Sequence, residues 1–237
     1  MILLSNYKNG FNNYFTKFFY SNYQTIKNIK NYINNKSTYL LDIRKEQEIK
    51  KGFIKNSLIT PINISYPIIP QIINKNKKII LINNEQNKKD NSKVINILNL
   101  LGYNNNNIIG SYYINNIYNE INNKFIINKI NFYPLKNNDN IINLINNKKF
   151  IIDIREPNEY KEIGILKSSF LLPISLIKYN YKLIPRNKKI YILCLSGKRA
   201  LIIYSYLLRK GYNEKDLYII DGGISNLIKL NFPLIKY

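Results

Sequence analysis

The chain's single cysteine, Cys194, closes an apolar run, Ile190-Tyr191-Ile192-Leu193, and is followed by Leu195-Ser196-Gly197-Lys198-Arg199. From Ala200 to Arg209 the chain is long and almost uniformly apolar, which reads as a helix in spite of its β-branched content. A thiol at a strand–loop–helix turn faces loop and first-turn N–H groups that have no partners inside the helix, and these converge on an anion. The thiolate is the reactive form of cysteine, so the position favours nucleophilic chemistry. A helix N-terminus stabilises a nearby anion by about 0.3–1 kcal/mol, and by up to about 2 in a sheltered site. At about 1.4 kcal/mol per pKa unit, this lowers a thiol by about one unit. Lys198 and Arg199 extend the effect toward a substantial thiolate fraction near neutral pH. The plain alternative is a small buried hydrophobe; a glycine and two cations within five residues weigh against it.

Cys194-Leu195-Ser196-Gly197-Lys198-Arg199-Ala200 resembles the active-site loop of the rhodanese family of sulfurtransferases, C-x-S-G-x-R-[SA]. Phe150 to Tyr160, with Asp153, Arg155, Glu156 and Glu159, resembles that family's D-V-R-E-x-x-E-Y segment. Leu171-Leu172-Pro173-Ile174 resembles the apolar-Pro step that follows, and Asp221-Gly222-Gly223-Ile224 the closing G-G-I after Gly211-Tyr212. One departure is visible: the family's G-H-I-x-G-A segment reads Ile163-Gly164-Ile165-Leu166-Lys167-Ser168, without histidine, which puts local loop packing in question. Cell-cycle-type dual-specificity phosphatases are similar but carry C-x5-R. The shorter C-x4-R here, Cys194 to Arg199, is the form associated with sulfur substrates.

An internal repeat accounts for much of the remainder. Asp42, Arg44 and Glu48 repeat the spacing of Asp153, Arg155 and Glu159. Lys77-Lys78-Ile79-Ile80-Leu81-Ile82 repeats Lys188-Lys189-Ile190-Tyr191-Ile192-Leu193, and Leu101-Gly102-Tyr103-Asn104 repeats Lys210-Gly211-Tyr212-Asn213. Gly110 is expected near the place of Gly222 and Gly223. The Lys-Lys match sets Asn83 at the position of Cys194, with no thiol, loop glycine or suitably spaced arginine behind it. The expected organisation is a lead-in segment 1–30, an inactive rhodanese-like domain 31–118, a linker 119–138 and a catalytic domain 139–237. Tandem rhodaneses resemble this arrangement. Gly52-Phe53-Ile54-Lys55-Asn56-Ser57 also resembles, more weakly, the first rhodanese copy of metallo-β-lactamase/rhodanese persulfide dioxygenase fusions.

Short apolar runs at 39–43, 78–82, 150–154 and 190–194 alternate with helical stretches such as 92–101 and 200–210. The expected fold class is therefore α/β: two tandem rhodanese-like domains, each a small parallel sheet with helices on both faces and active groups at strand carboxyl ends. Asp153 and Arg155, like Asp42 and Arg44, alternate along a strand end and share a side. They read as a bracing pair near the site, because the inactive copy keeps them.

The resemblance implies that Cys194 attacks the sulfane sulfur of a donor such as thiosulfate or a small persulfide and becomes a persulfide. It also implies that the N–H groups of Leu195, Ser196, Gly197, Lys198 and Arg199 hold the sulfur anion, while Lys198 and Arg199 bind the donor's anionic oxygens. A thiol, cyanide or a partner protein would accept the sulfur. The rivals are a sulfur-carrier or docking module for a partner protein, and a non-catalytic basic binding protein.

Zero histidines and one cysteine leave no Cys/His metal or iron–sulfur site, so no metal and no cofactor is expected. One cysteine excludes an intrachain disulfide, which fits a reducing compartment. A net charge of +22 ordinarily suggests nucleic acid or anionic membrane. Here Lys, Asn, Ile and Tyr rise together, as an A/T-rich coding sequence produces, and the lysines are dispersed. No specific nucleic acid or membrane partner is expected, and the charge draws small anions toward the site. Apolar runs are broken by Lys and Asn, so no transmembrane helix is expected. The location expected is cytoplasmic; the acid-free start at 1–36 leaves organelle import open, although it lacks arginine.

Overall fold

The computed structural model describes residues 24–61, 68–104, 106–114 and 121–237. In chain order the first half contains β1 (Gln24–Thr25), α1 (Lys30–Ile33), β2 (Thr38–Asp42), α2 (Glu46–Ile49), β3 (Phe53–Ile54), β4 (Leu58–Ile59), α3 (Ile69–Ile72), β5 (Lys78–Asn83), α4 (Lys88–Leu100) and β6 (Ile108–Tyr113). The second half contains β7 (Ile126–Ile127), β8 (Phe132–Tyr133), α5 (Asn138–Asn146), β9 (Phe150–Asp153), α6 (Pro157–Ile163), β10 (Phe170–Leu171), α7 (Ile174–Asn180), β11 (Ile190–Leu193), α8 (Lys198–Arg209), β12 (Leu217–Ile220) and α9 (Gly223–Lys229). The middle strands β5 and β11 carry apolar runs, Ile79–Ile82 and Ile190–Leu193, that are fully buried, as parallel strands covered on both faces must be.

Two five-stranded sheets result, with orders β1-β6-β5-β2-β4 and β10-β9-β11-β12-β8, and every pairing within them is parallel. Read from opposite ends, the two orders are the same. The repeat seen in the sequence is thus also a repeat of topology. It extends to single residues: Asp42 pairs with Ile82 and Asp153 with Leu193, so Asn83 and Cys194 are equivalent by register. Ile43 and Ile154, one residue on, donate to the carbonyls of Ile82 and Leu193, both at 2.9 Å. Arg44 and Arg155 each grip their aspartate and reach a glycine carbonyl, Gly52 at 3.0 Å and Gly164 at 2.8 Å.

Gly110 does not occupy the place of Gly222 and Gly223. It lies inside β6, beside Gln24 and Ile80, where a Cβ would stand 2.4 Å from the Gln24 carbonyl oxygen. Its role is the close approach of an edge strand. The described part of 119–138 is also more than a connection. β7 pairs antiparallel with β3 of the first half, and β8 forms the edge of the second sheet. Similarly, β1, inside the expected lead-in segment, is an edge strand of the first sheet. The aromatic cluster from Phe11 to Tyr20 lies outside the described residues.

One core spans both halves: Ile59, Ile69 and Ile72 of the first pack in the same apolar cluster as Ile177, Ile202 and Tyr206 of the second. Polar contacts also cross the junction, among them Lys178 Nζ donating to Asn74 Oδ1. The Ile59 N–H donates to Ser205 Oγ at 2.9 Å. Arg209 donates to the carbonyls of Asn56 (2.8 Å), Thr38 (2.9 Å) and Asn35 (3.2 Å), while its guanidinium lies 4.2 Å from the centre of the Tyr39 ring. Among the described residues, no helix is long and apolar enough to cross a membrane.

Candidate active site

β11 is the middle strand of the second sheet, and its four buried residues deliver Cys194 to the carboxyl end. The chain then turns through Leu195, Ser196 and Gly197, and α8 begins at Lys198. Gly197 makes the turn possible, with φ +86 in the left-handed region that costs other residues about 1–2 kcal/mol. Its N–H donates to Cys194 Sγ at 3.1 Å. The N–H groups of Ala200 and Ser196 also favour the charged sulfur, as does the Arg199 cation.

Cys194 is wholly buried, and burial pushes its thiol up. The Ala200 N–H, the Arg199 charge and the N–H groups of Ser196 and Gly197 pull it down without outweighing that effect. The net direction is therefore upward, against the expectation of a lowered thiol. That expectation counted the loop's positive charge but not the loss of water, which disfavours the charged form of any acid.

The loop is held from beneath by a pair of glycines. Gly222 (φ +70) and Gly223 (φ +58) end the approach from β12, and the N–H groups of Ile224 and Ser225 donate to the carbonyls of Cys194 and Leu195, both at 2.9 Å. A Cβ at Gly223 would meet the Cys194 carbonyl oxygen at 2.2 Å. These backbone contacts leave no room for a side chain.

Arg199 grips Glu159 with both Nη atoms, at 2.6 and 2.5 Å. Burial raises the Glu159 carboxyl, but the Arg199 hydrogen bond, the Glu156 N–H and the charges of Arg199 and Arg155 together hold it below the usual carboxylate range. Glu156 in turn accepts from the N–H (3.0 Å) and hydroxyl (2.8 Å) of Ser175. The cation beside the thiol is thus fixed by a chain running from α8 through α6 to α7. Ser196 and Lys198 are exposed at the mouth of the loop, and Leu195 is half-buried.

Asp153 and Arg155 form a fully buried ion pair (Nη2 to Oδ2 2.6 Å, Nε to Oδ1 3.0 Å), with the Tyr160 ring 5.3 Å from the guanidinium and the Tyr160 hydroxyl on the Asp153 carbonyl at 2.9 Å. The histidine-free segment is closed by the C-terminal tail, since Ile165 and Ile235 exchange backbone hydrogen bonds at 2.8 and 2.9 Å. Glu159 and the Gly222-Gly223 pair adjoin the cysteine loop, and in the sequence they stand only as motif letters without a role. Their only signal was their presence in those motifs.

The equivalent corner of the first half is differently built. Asn83, buried, donates to the Asn87 carbonyl (2.8 Å) and to Asn91 Oδ1 (2.7 Å), while its own Oδ1 accepts from the Asn84 N–H at 2.8 Å. Glu48, the counterpart of Glu159, accepts from Asn84 at 2.8 Å where Glu159 accepts from arginine. Among the described residues, no group of three or more His, Cys, Asp or Glu side chains could hold a metal ion.

Residues 137–229 match the rhodanese-like domain family. A protein of Allochromatium vinosum named "Sulfurtransferase" is 29% identical over 85 residues, covering 36% of this chain and 77% of that protein. Among solved structures, a rhodanese-related protein from Thermoplasma volcanium is 26% identical, with 44% of this chain and 100% of that chain covered and a TM-score of 0.38. A thiosulfate sulfurtransferase from Pseudomonas aeruginosa is 13% identical, with 84% of this chain and 41% of that chain covered and a TM-score of 0.35.

Proposed function

We propose, from the match of residues 137–229 to the rhodanese-like domain family, that the protein is a sulfurtransferase that carries sulfane sulfur on Cys194. The observation that supports this best is Sγ at the foot of the loop, accepting the Gly197 N–H at 3.1 Å with Arg199 beside it. The Cys194 thiolate attacks the outer sulfur of a donor such as thiosulfate. A sulfur–sulfur bond forms to Cys194 as the donor's own sulfur–sulfur bond breaks, and sulfite leaves with the electron pair. A thiolate or cyanide then attacks the terminal sulfur of the persulfide, and the Cys194 thiolate leaves. In both steps the negative charge is on or next to Sγ, where loop N–H groups that need no reorganisation can receive it.

In this reading the loop N–H groups from Leu195 to Arg199 cradle the transferred sulfur. Lys198, exposed at the rim, draws the donor's oxygens; Arg199, anchored by Glu159, contributes its charge from a fixed position. Asp153 and Arg155 brace the strand end. The first half acts as an inactive copy, since Asn83 and its side-chain and backbone partners fill the place of the thiol and its cradle.

Intact mass spectrometry after thiosulfate treatment tests the proposal. A gain of about 32 Da, one sulfur atom, that a thiol or cyanide removes is expected, and Cys194→Ser should show none. A wild-type chain that gains nothing refutes it.

A further inference from the structure

A cleft of about 620 Å³ lies between the two halves, well away from Cys194. It lies at the far end of α8: Lys210 follows the twelve-residue helix whose first turn holds the cysteine loop, roughly 18 Å along the axis. Lys36 and Lys77 line it from the first half, and Lys178, Arg209 and Lys210 from the second. Five of its twelve lining residues are cationic and none is acidic, against 36 cations and 14 acids in 237 residues. The general basicity of the chain does not account for that concentration.

Arg209 is already committed to three carbonyls and to the Tyr39 ring. Four lysines remain, of which Lys178 donates to Asn74 Oδ1 across the cleft. No ion pair joins any of them to a carboxylate among the described residues. Lys210 lies over the faces of Tyr181 and Tyr206, 4.9 and 5.1 Å from the ring centres. Burial holds its ammonium below the ordinary lysine range, and Arg209, Lys178 and Lys77 lower it further. The cations therefore act on one another across the junction, with no paired carboxylate among the described residues. Tyr206, a wholly buried lining residue, also has a hydroxyl without a hydrogen-bond partner.

The geometry points to an anion site between the halves for a small polyphosphate, whose charge bridges Lys36 and Lys77 on one side to Lys178 and Lys210 on the other. Cations on both walls require a ligand with several charges. The volume suits a small molecule more than a peptide or a nucleic acid strand. Lysine ammoniums bind phosphate groups as point charges, with the amides of Asn34 and Asn74 as further polar contacts in the lining. A bound polyphosphate offsets repulsion across the junction and so ties the halves together.

Calorimetric titration of the full chain with inorganic tripolyphosphate at constant ionic strength tests this. Saturable one-to-one binding and a rise in melting temperature are expected. The Lys77→Gln/Lys178→Gln variant, shown by its own melting curve to be folded, should bind at least about tenfold more weakly. A Lys124→Gln/Lys167→Gln variant removes the same charge elsewhere and should bind like wild type, as should Cys194→Ser. In a parallel arm with ATP, tighter binding than tripolyphosphate identifies a nucleoside polyphosphate, and equal or weaker binding a free phosphate chain. Absent binding, non-saturating binding, or equal weakening in the two lysine variants would overturn the site.

Discussion

Gly223→Ala tests how the cysteine loop is held. The new Cβ would stand 2.2 Å from the Cys194 carbonyl oxygen and 2.8 Å from the carbonyl carbon and oxygen of Leu195. All three are backbone atoms, so no side chain can swing aside. Relief requires α9 and the loop to separate, which breaks the bonds from Ile224 and Ser225 to those carbonyls. Losing both bonds costs about 2 kcal/mol, and the left-handed backbone adds about 1 kcal/mol for alanine. A loss near 3 kcal/mol corresponds to roughly 6–12 °C in melting temperature for a chain of this size. Gly197→Ala is the control. It carries the same backbone strain at φ +86, but its nearest clash candidate, the Gly222 nitrogen, is at an ordinary 3.6 Å. The assay is the rate of sulfur uptake from thiosulfate by intact mass, taken below both melting temperatures. Gly223→Ala should lose more stability than Gly197→Ala and should slow loading as Sγ shifts from its N–H donors. If Gly223→Ala melts and loads like wild type, the glycine pair does not brace the loop.

Further outcomes follow from the same contacts. Arg199→Ala should raise the KM for an anionic donor by about ten- to a hundredfold, the effect of losing a charge-assisted contact of about 1.5–3 kcal/mol; an unchanged KM with thiosulfate makes Arg199 a brace only. Glu159 ionises more readily folded than unfolded, so its contribution to stability is present above the ordinary carboxylate range and is lost as pH falls through its lowered value. Glu159→Gln should flatten that acid limb in melting curves taken across pH. The Cys194 thiol, raised by burial, implies loading rates that climb with pH from neutral into the alkaline range. The folded chain keeps this proton to higher pH than the unfolded chain does, so stability should fall above the ordinary thiol range, and less so in Cys194→Ser. Asn83→Cys in a Cys194→Ser background should gain no sulfur, and residues 128–237 alone, which keep β8, should melt lower than the full chain, because Ile59, Ile69 and Ile72 cover part of their core.

Cys194, its strand–loop–helix setting and the repeated α/β plan were all legible in the sequence, because each rests on local signals. These are apolar runs of strand length, a glycine where the turn needs positive φ, and motif spacings that recur in both halves. The position of Asn83 opposite Cys194 was readable for the same reason, and strand register bears it out. Gly110 was misplaced because a lone glycine after Ile108-Ile109 does not say whether it turns the chain or lets two strands approach. Tertiary structure alone decided three further matters. Arg199 grips Glu159, forty residues away, instead of standing free. The thiol is pushed up, because the loop charge is visible along the chain while the water excluded from Sγ is not. Four dispersed lysines converge on one cleft, because charge order along a chain does not reveal which side chains the packed halves bring face to face. Local conformation follows from neighbouring residues, whereas dielectric and long-range charge pairing depend on everything that surrounds a group once the chain has closed around it.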